Sequence, residues 1–176
     1  MTSSTSSPLT LRPVTRLMKV AMECSRDAFA AVVEADLPSG WPQFPEAFAS
    51  DGPASASPWT GYLFIRSADG MLVGNGGFVS APDRAGSVEI GYEIAPAYRK
   101  MGFATDAARL LVGTAFANGA RTVVAHTRAV PDASGAVLTK VGLRRVAELP
   151  DPELGAIWRW QIDAMPAQGE TAVNPP

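Results

Sequence analysis

Apolar positions along this chain follow two different periods. Short runs with alternating or blocked apolar residues predict strands, and runs with three- and four-residue spacing predict helices. Leu9-Thr10-Leu11-Arg12-Pro13 predicts a first strand, which Pro13 ends or sets at a sheet edge. Residues 16 to 35 read as helical in two pieces. Leu17, Val20 and Ala21 share one face, then Ala28, Ala31, Val32 and Ala35, with Ser25 capping the second piece. Residues 61–66 and 71–79 predict strands on either side of Ser67-Ala68-Asp69-Gly70, where Asp-Gly is a hairpin signal. Pro82-Asp83-Arg84-Ala85-Gly86 is the next turn and leads into a strand at 88–94, completing an antiparallel meander.

The stretch from Val88 to Gly119 carries the strongest pattern. After the strand and a tight connection, Phe103, Ala107, Leu110, Leu111, Thr114 and Asn118 predict one helix face, and Asn118-Gly119 a helix end. A strand follows at 122–127, rich in β-branched residues. A short helix then runs to about Val141, with Asp132 as N-cap and Gly142 as stop. Residues 144–149 and 156–162 predict a terminal hairpin, with Trp158, Trp160 and Ile162 alternating onto one face. The order is β-α-α-β-β-β-α-β-α-β-β, an α+β (mixed α/β) layer design. Residues 88–127 form a strand, helix, strand unit that predicts two parallel strands.

Residues 36 to 60 break the pattern. Pro38, Pro42, Pro45, Pro53 and Pro58 prevent long regular structure, and Trp41, Phe44, Phe48 and Trp59 are interleaved with them. Such a segment either packs on the core as a lid or forms a pocket wall, and packing is the favoured role. A short helix is expected after Pro45. The Ser/Thr-rich residues 1–8 and the Pro-containing residues 164–176 read as a disordered start and a flexible tail, leaving one domain at 9–163.

Composition narrows the function. The 176 residues are 47% hydrophobic and 18% charged, with net charge −2 from 15 basic and 17 acidic residues. Nothing resembles the clustered basic surface of a nucleic-acid binder. No apolar run is long enough for a membrane span, and the first eight residues lack the apolar core of a signal peptide. Cys24 is the only cysteine and His126 the only histidine, so a disulfide within the chain or a catalytic zinc is not expected, and a reducing cytoplasm fits.

Candidate chemistry gathers around Arg99-Lys100-Met101-Gly102-Phe103-Ala104. A helix N-terminus presents unsatisfied N–H groups and partial positive charge, which suit phosphate oxygens. Gly102 lets a ligand approach the main chain, and Arg99 and Lys100 stand where they can pair with phosphate. An ordinary strand-to-helix turn, eased by Gly102, is the alternative. Gly74-Asn75-Gly76-Gly77 lacks the spacing of a nucleotide loop, because Val79 stands at the third Gly position; a bulge or close backbone approach is expected instead. Glu89 and Glu93 share a strand face with Gly91, opposite Val88, Ile90 and Tyr92, and are the candidate bases. His126 reads as a core or pocket-wall histidine with a satisfied hydrogen bond, favoured over a general base.

Arg99-x-x-Gly102-x-Ala104, placed between a strand and a helix, resembles the acetyl-CoA pyrophosphate loop of the GNAT superfamily of N-acetyltransferases. Val88-Glu89-Ile90-Gly91-Tyr92 and the run from Ala133-Ser134 to Lys140-Val141-Gly142-Leu143 resemble the branch containing the ribosomal-protein N-terminal acetyltransferases. The resemblance covers roughly residues 9 to 162. It implies a GNAT-like central mixed, mostly antiparallel sheet of about seven strands with helices on both faces. It implies acetyl-CoA as cosubstrate and transfer of its acetyl group to a primary amine in a ternary complex. The main chain of Tyr92 and Ile94 would meet the acetyl carbonyl and pantetheine, and that of Arg99, Lys100, Met101, Gly102, Phe103 and Ala104 the pyrophosphate. Gly91 would be a bulge opening a gap between two parallel strands. Glu89 matches the branch's Glu in Glu-Ile-Gly-Tyr, the residue taking the amine proton. Ser134 matches the Ser of an Asn-x-x-Ser pattern, a proton donor to the thiolate, with Pro131 at the Asn position. Leu143 replaces the usual Phe of a Gly-Phe pair. The acceptor is a small molecule or a protein N-terminus, and a homodimer through the strands of Trp158 and Trp160 is possible. A non-catalytic acetyl-CoA sensor on the same fold is the alternative function, and a third reading takes a different acyl-CoA in an enlarged cavity lined by residues 36–60 and 74–79.

Overall fold

The computed structural model describes residues 8–44 and 57–165. The expected helix after Pro45, the aromatic Phe48 and most of the two terminal segments lie outside the described residues. The element order matches the expectation: β1 (Leu9–Pro13), α1 (Arg16–Cys24), α2 (Arg26–Val33), β2 (Gly61–Arg66), β3 (Leu72–Phe78), β4 (Ser87–Ile94), a 3₁₀ turn (Pro96–Tyr98), α3 (Phe103–Ala117), β5 (Thr122–Arg128), α4 (Ala133–Val141), β6 (Arg144–Asp151) and β7 (Gly155–Asp163). The strands make one seven-stranded sheet in the order β1-β2-β3-β4-β5-β7-β6. Only the β4–β5 pair is parallel; every other neighbour is antiparallel.

Local chemistry sets the boundaries. Ser25 serves both helices at the α1–α2 junction: its N–H bonds the Ala21 carbonyl, and its hydroxyl accepts from the Ala28 N–H at 3.0 Å. Asp69 accepts from the Arg66 Nε at 2.8 Å in the β2–β3 turn, where Gly70 takes φ 73°. Asp83 accepts from the N–H groups of Ala85 and Ser87 to build the turn before β4.

Alternation along the strands divides the core in two. Phe64, Val73, Ile90 and Ile94 belong to a cluster with Phe103, Ala107 and Leu111 of α3, whereas Leu63 and Leu72 join Met18, Phe29, Val33 and Trp41 in a cluster with α1 and α2. The helices therefore cover opposite faces. The buried face of α3 is Phe103, Ala107, Ala108, Leu111, Val112 and Ala115, rotated from the expected stripe. Thr114 and Asn118 do not join it; Asn118 instead turns its amide to the Thr114 carbonyl at 2.8 Å. The apolar run in the middle of α3 is wide enough that periodicity alone does not fix its centre.

In the terminal hairpin Trp160 is buried, and its indole donates to Thr127 Oγ1 at 3.0 Å. Trp158 donates to Glu148 at 2.9 Å and carries the Arg145 guanidinium 4.4 Å over its ring. Both indoles are thus engaged within the chain. Among the described residues no helix is long and apolar enough to cross a membrane.

Candidate active site

The middle of the sheet contains an unfinished ladder. β4 and β5 pair at Ser87↔Thr122, Val88↔Val123 and Glu89↔Val124, and there the pairing stops. Both strands continue. β4 runs on to Ile94 paired to β3 alone, and β5 runs on to Arg128 paired to β7 alone. Each strand thus keeps one backbone edge turned to the gap, a place where an extended amide-bearing chain can add as a strand. Gly91 does not cause the divergence by a bulge. It pairs with Gly77 in an unbroken register from Gly74↔Ile94 to Phe78↔Ile90. The register shift in this part of the sheet lies between β2 and β3, where Phe64 and Ile65 face Gly74 and Leu72 and Val73 is the extra residue. The gap opens because β5 stays with β7 along its whole length while β4 stays with β3.

Glu89 stands at the last paired position, and its carboxylate meets His126 Nδ1 at 2.8 Å across the mouth of the gap. The side chains are 37% and 25% exposed, so both remain reachable. His126 therefore has the satisfied hydrogen bond expected of it, and its partner is the favoured base. The sequence contained no signal for this pairing, because the register between β4 and β5 is not written in either strand.

Above the gap, the loop Arg99–Gly102 leads into α3. Gly102 is the N-cap residue at φ 88°, with no side-chain cap, and a Cβ built there meets nothing within 4 Å. Lys100 also takes a left-handed conformation, φ 62°. Arg99 donates from Nε to the Ile94 carbonyl at 3.1 Å and from Nη2 to Gln43 Oε1, tying the loop to the end of β4. Met101 is exposed, while Phe103 is buried in the α3 core.

On the far side of the gap α4 begins with Asp132, whose carboxylate accepts from the Gly135 N–H at 2.9 Å. It is the N-cap that the sequence predicts. Ser134 is exposed in the first turn. Tyr92 points from β4 to the α3 side, and its hydroxyl is buried with no hydrogen-bond partner among the described residues. Burial, with the charge of Asp132 as a lesser cause, raises its pKa well above the usual phenol value.

The opposite face of β3 and β4 holds a cavity of about 390 Å³, near the lower end of the roughly 300–1,000 Å³ usual for small-molecule sites. Its lining includes Gly61, Gly77, Gly91, Val14, Phe44 and Glu93. Glu93 is only 7% exposed, and its Oε2 accepts from the Gln43 N–H at 3.0 Å. The segment that supplies Gln43 is fixed from both sides. Arg26 donates to the carbonyls of Leu37, Pro38 and Trp41, and the Trp41 indole donates to Asn75 Oδ1 at 2.7 Å. Trp41 thus packs, as expected of the aromatic loop, while Phe44 reaches the cavity. The glycines of β3 show the expected close approach: a Cβ on Gly74 would lie 2.2 Å from the Glu93 carbonyl oxygen, and one on Gly76 2.5 Å from that of Gly91.

The sequence model of the acetyltransferase (GNAT) domain matches residues 9–144. The chain belongs to the GNAT acetyltransferase family. A comparison with curated proteins finds no match. Among solved structures, the chain is similar to Mycobacterium smegmatis RimJ in complex with CoA-disulfide, with TM-score 0.63 and 23% identity over 89% of this chain and 82% of that one. It is similar to the Vibrio cholerae spermidine N-acetyltransferase in complex with CoA and spermine, with TM-score 0.61 and 15% identity over 90% and 96%. A GNAT-family acetyltransferase from Bacillus anthracis gives TM-score 0.60 and 17% identity over 89% and 95%. At these identities the three structures speak for the GNAT fold.

Proposed function

We propose that this GNAT protein is an acetyl-CoA-dependent N-acetyltransferase that moves the acetyl group directly to a primary amine in a ternary complex. The observation that carries the reading is the ladder that ends at Glu89↔Val124 while both strands run on. The gap-facing edges of Ile90–Ile94 and residues 125–128 suit the amides of pantetheine, with the Tyr92 main chain and the Ile94 N–H on one side. The open space at Gly102 and the uncapped start of α3 suit a pyrophosphate, held by the main chain of residues 99–104 with Lys100 alongside. Bound there, the thioester supplies an acetyl group already activated for transfer to nitrogen.

The protein then has few tasks. Glu89, oriented by His126, takes a proton from the acceptor's ammonium and leaves a neutral nucleophile. The pair shares that charge, so His126 is the second basic group of the site. A main-chain N–H at Tyr92 polarises the carbonyl. On the α3 side, the Tyr92 hydroxyl and Ser134 hold protons for the departing sulfur. The Tyr92 phenol stays neutral because burial raises its pKa.

Steady-state kinetics with acetyl-CoA and a panel of amines tests this. Intersecting double-reciprocal lines and acetylated amine are expected. Glu89→Gln should lower kcat/KM by about 100-fold or more with acetyl-CoA affinity retained. His126→Gln should lose a similar amount, and the double variant little more, because the two act as one unit. Full turnover by Glu89→Gln across pH would remove the base assignment. Acetyl-CoA binding without transfer to any amine would make the chain a sensor.

A further inference from the structure

The acetyl-transfer reading leaves open what kind of amine enters, and the cavity on the α1–α2 face narrows it. Gly61, Gly77 and Gly91 stand side by side across β2, β3 and β4, paired as Gly61↔Gly77 and Gly77↔Gly91. This stripe of the sheet carries no side chains. The three glycines differ in what they leave open. A Cβ on Gly77 would press on the Thr60 carbonyl oxygen at 2.4 Å, and one on Gly61 would touch Val14 at 3.6 Å. At Gly91 it would meet nothing within 4 Å, and Gly91 is not among the glycines at positive φ. Neither the backbone conformation nor crowding there requires glycine, and the residue faces the cavity.

Gly91 is flanked on its own strand face by Glu89 and Glu93, each two residues away. Glu89 is held by His126 at the mouth of the gap, and Glu93 is held by the Gln43 N–H in the cavity. An ammonium seated over Gly91 lies between a carboxylate that can take its proton and a buried one that holds its charge. It also lies beside the main chain of Tyr92. Away from Gly91 the side chains that line this face are Val14, Val79 and Phe44, with Asn75 already engaged by the Trp41 indole. Val79 and Phe44 are 66% and 54% exposed, large apolar surface at the rim of the cavity. Among the described residues Glu93 is the only carboxylate of the lining.

We propose that the acceptor is a primary amine with one positive charge and a compact apolar body, its nitrogen seated over Gly91 and its body lying along the Gly91–Gly77–Gly61 stripe. This rests on the acetyl-transfer reading and adds the substrate class to it. A polyamine would bring further ammonium groups onto Val14, Val79 and Phe44, and among the described residues of the lining no carboxylate besides Glu93 would meet them; stripping water from an unpaired charge is costly. One extra methylene in such a pocket is worth about ten- to two-hundredfold in selectivity.

The test is direct binding as well as turnover, both with the whole chain. Calorimetry with CoA-saturated protein should show phenylethylamine binding at least tenfold tighter than methylamine and tighter than spermidine. Gly91→Val should weaken phenylethylamine binding by about tenfold or more with CoA affinity unchanged, because the added methyl groups fill the seat without backbone strain. Glu93→Gln, which keeps an oxygen for the Gln43 N–H, should weaken it by a similar factor. Spermidine binding best, or Gly91→Val leaving phenylethylamine affinity within twofold of the parent, overturns the inference while acetyl transfer stands. Tight, Gly91-dependent binding of phenylethylamine without any acetylated product instead upholds the seat and removes the enzymatic reading.

Discussion

Two helices begin beside the same gap, and they begin differently. β4 leads to α3 and β5 leads to α4, so each strand bordering the gap delivers a helix N-terminus next to it. α4 starts on Asp132, in extended conformation at φ −142°, with its carboxylate on the Gly135 N–H. α3 starts on Gly102 at φ 88°, without a side-chain cap. Both ends carry the same partial positive charge. In α4 a side chain of the chain itself meets that charge; in α3 no side chain does, and the space beside Gly102 is open, which is where the proposed pyrophosphate would lie. The comparison shows how two starts of the same polarity come to differ in whether a side chain caps them. The choice lies in one residue at each N-cap.

The largest effect should come from making α3 resemble α4. Gly102→Asp places a carboxylate where the pyrophosphate is proposed to lie, and like-charge juxtaposition costs several kcal/mol. Acetyl-CoA affinity should fall by about 100-fold or more. Gly102→Asn has nearly the same shape and tolerates the left-handed conformation equally well. It should therefore lose far less. Equal affinity in the two variants, measured by calorimetry, would mean that charge at this start does not matter.

The reverse change should spare the ligand and weaken the fold. Asp132→Ala removes the α4 cap and should lower unfolding free energy by about 1 kcal/mol in urea titrations. Its acetyl-CoA affinity should stay within twofold of the parent. A loss comparable to that of Gly102→Asp would move α4 into the cosubstrate site. Smaller still is Lys100→Ala. This side chain is exposed, so its proposed pairing with phosphate would be screened by salt. Affinity should fall about threefold to fivefold at low ionic strength and less at high. Equal loss at all salt concentrations would point to backbone strain at φ 62° instead.

The elements of the fold were legible because their signals are local. Asp69-Gly70 marks a hairpin, Ser25 and Asp132 mark caps, and strand alternation around Tyr92 assigns its faces. The family loop at 99–104 was legible as a motif. What could not be read was register and depth. Glu89 and His126 lie 37 residues apart, and only the pairing of Glu89 with Val124 brings their side chains together. Glu93 looked equivalent to Glu89 on the same strand face, but it is buried by the segment that Arg26 and Trp41 hold in place. A glycine inside a strand, such as Gly91, invites the expectation of a bulge. Its in-register neighbours Gly77 and Gly61 show a flat stripe instead. The same limit applied to α3, where a broad apolar run left the buried face ambiguous by one position.

Tyr92 separates stability from function on the side of the gap between α3 and α4. Its hydroxyl is buried without a partner among the described residues, and an unsatisfied buried hydroxyl costs about 1–3 kcal/mol. Burial and the Asp132 charge raise its pKa, so the folded protein holds the phenolic proton more tightly than the unfolded chain does. The stability linked to that proton is fully retained below the unfolded phenol value near pH 10 and gives an advantage only to the protonated form. Above it the unfolded chain loses its proton first, and stability falls as pH rises. Tyr92→Phe should therefore equal or exceed the parent's stability at pH 7 and decline less steeply above pH 10. Tyr62, also raised by burial but donating to the Pro58 carbonyl at 2.6 Å, should give no gain at pH 7 when changed to Phe. If Tyr92 holds a proton for the sulfur, Tyr92→Phe should also slow acetyl transfer, opposite in sign to its effect on stability. A variant that is more stable and equally fast would leave the phenol with neither role.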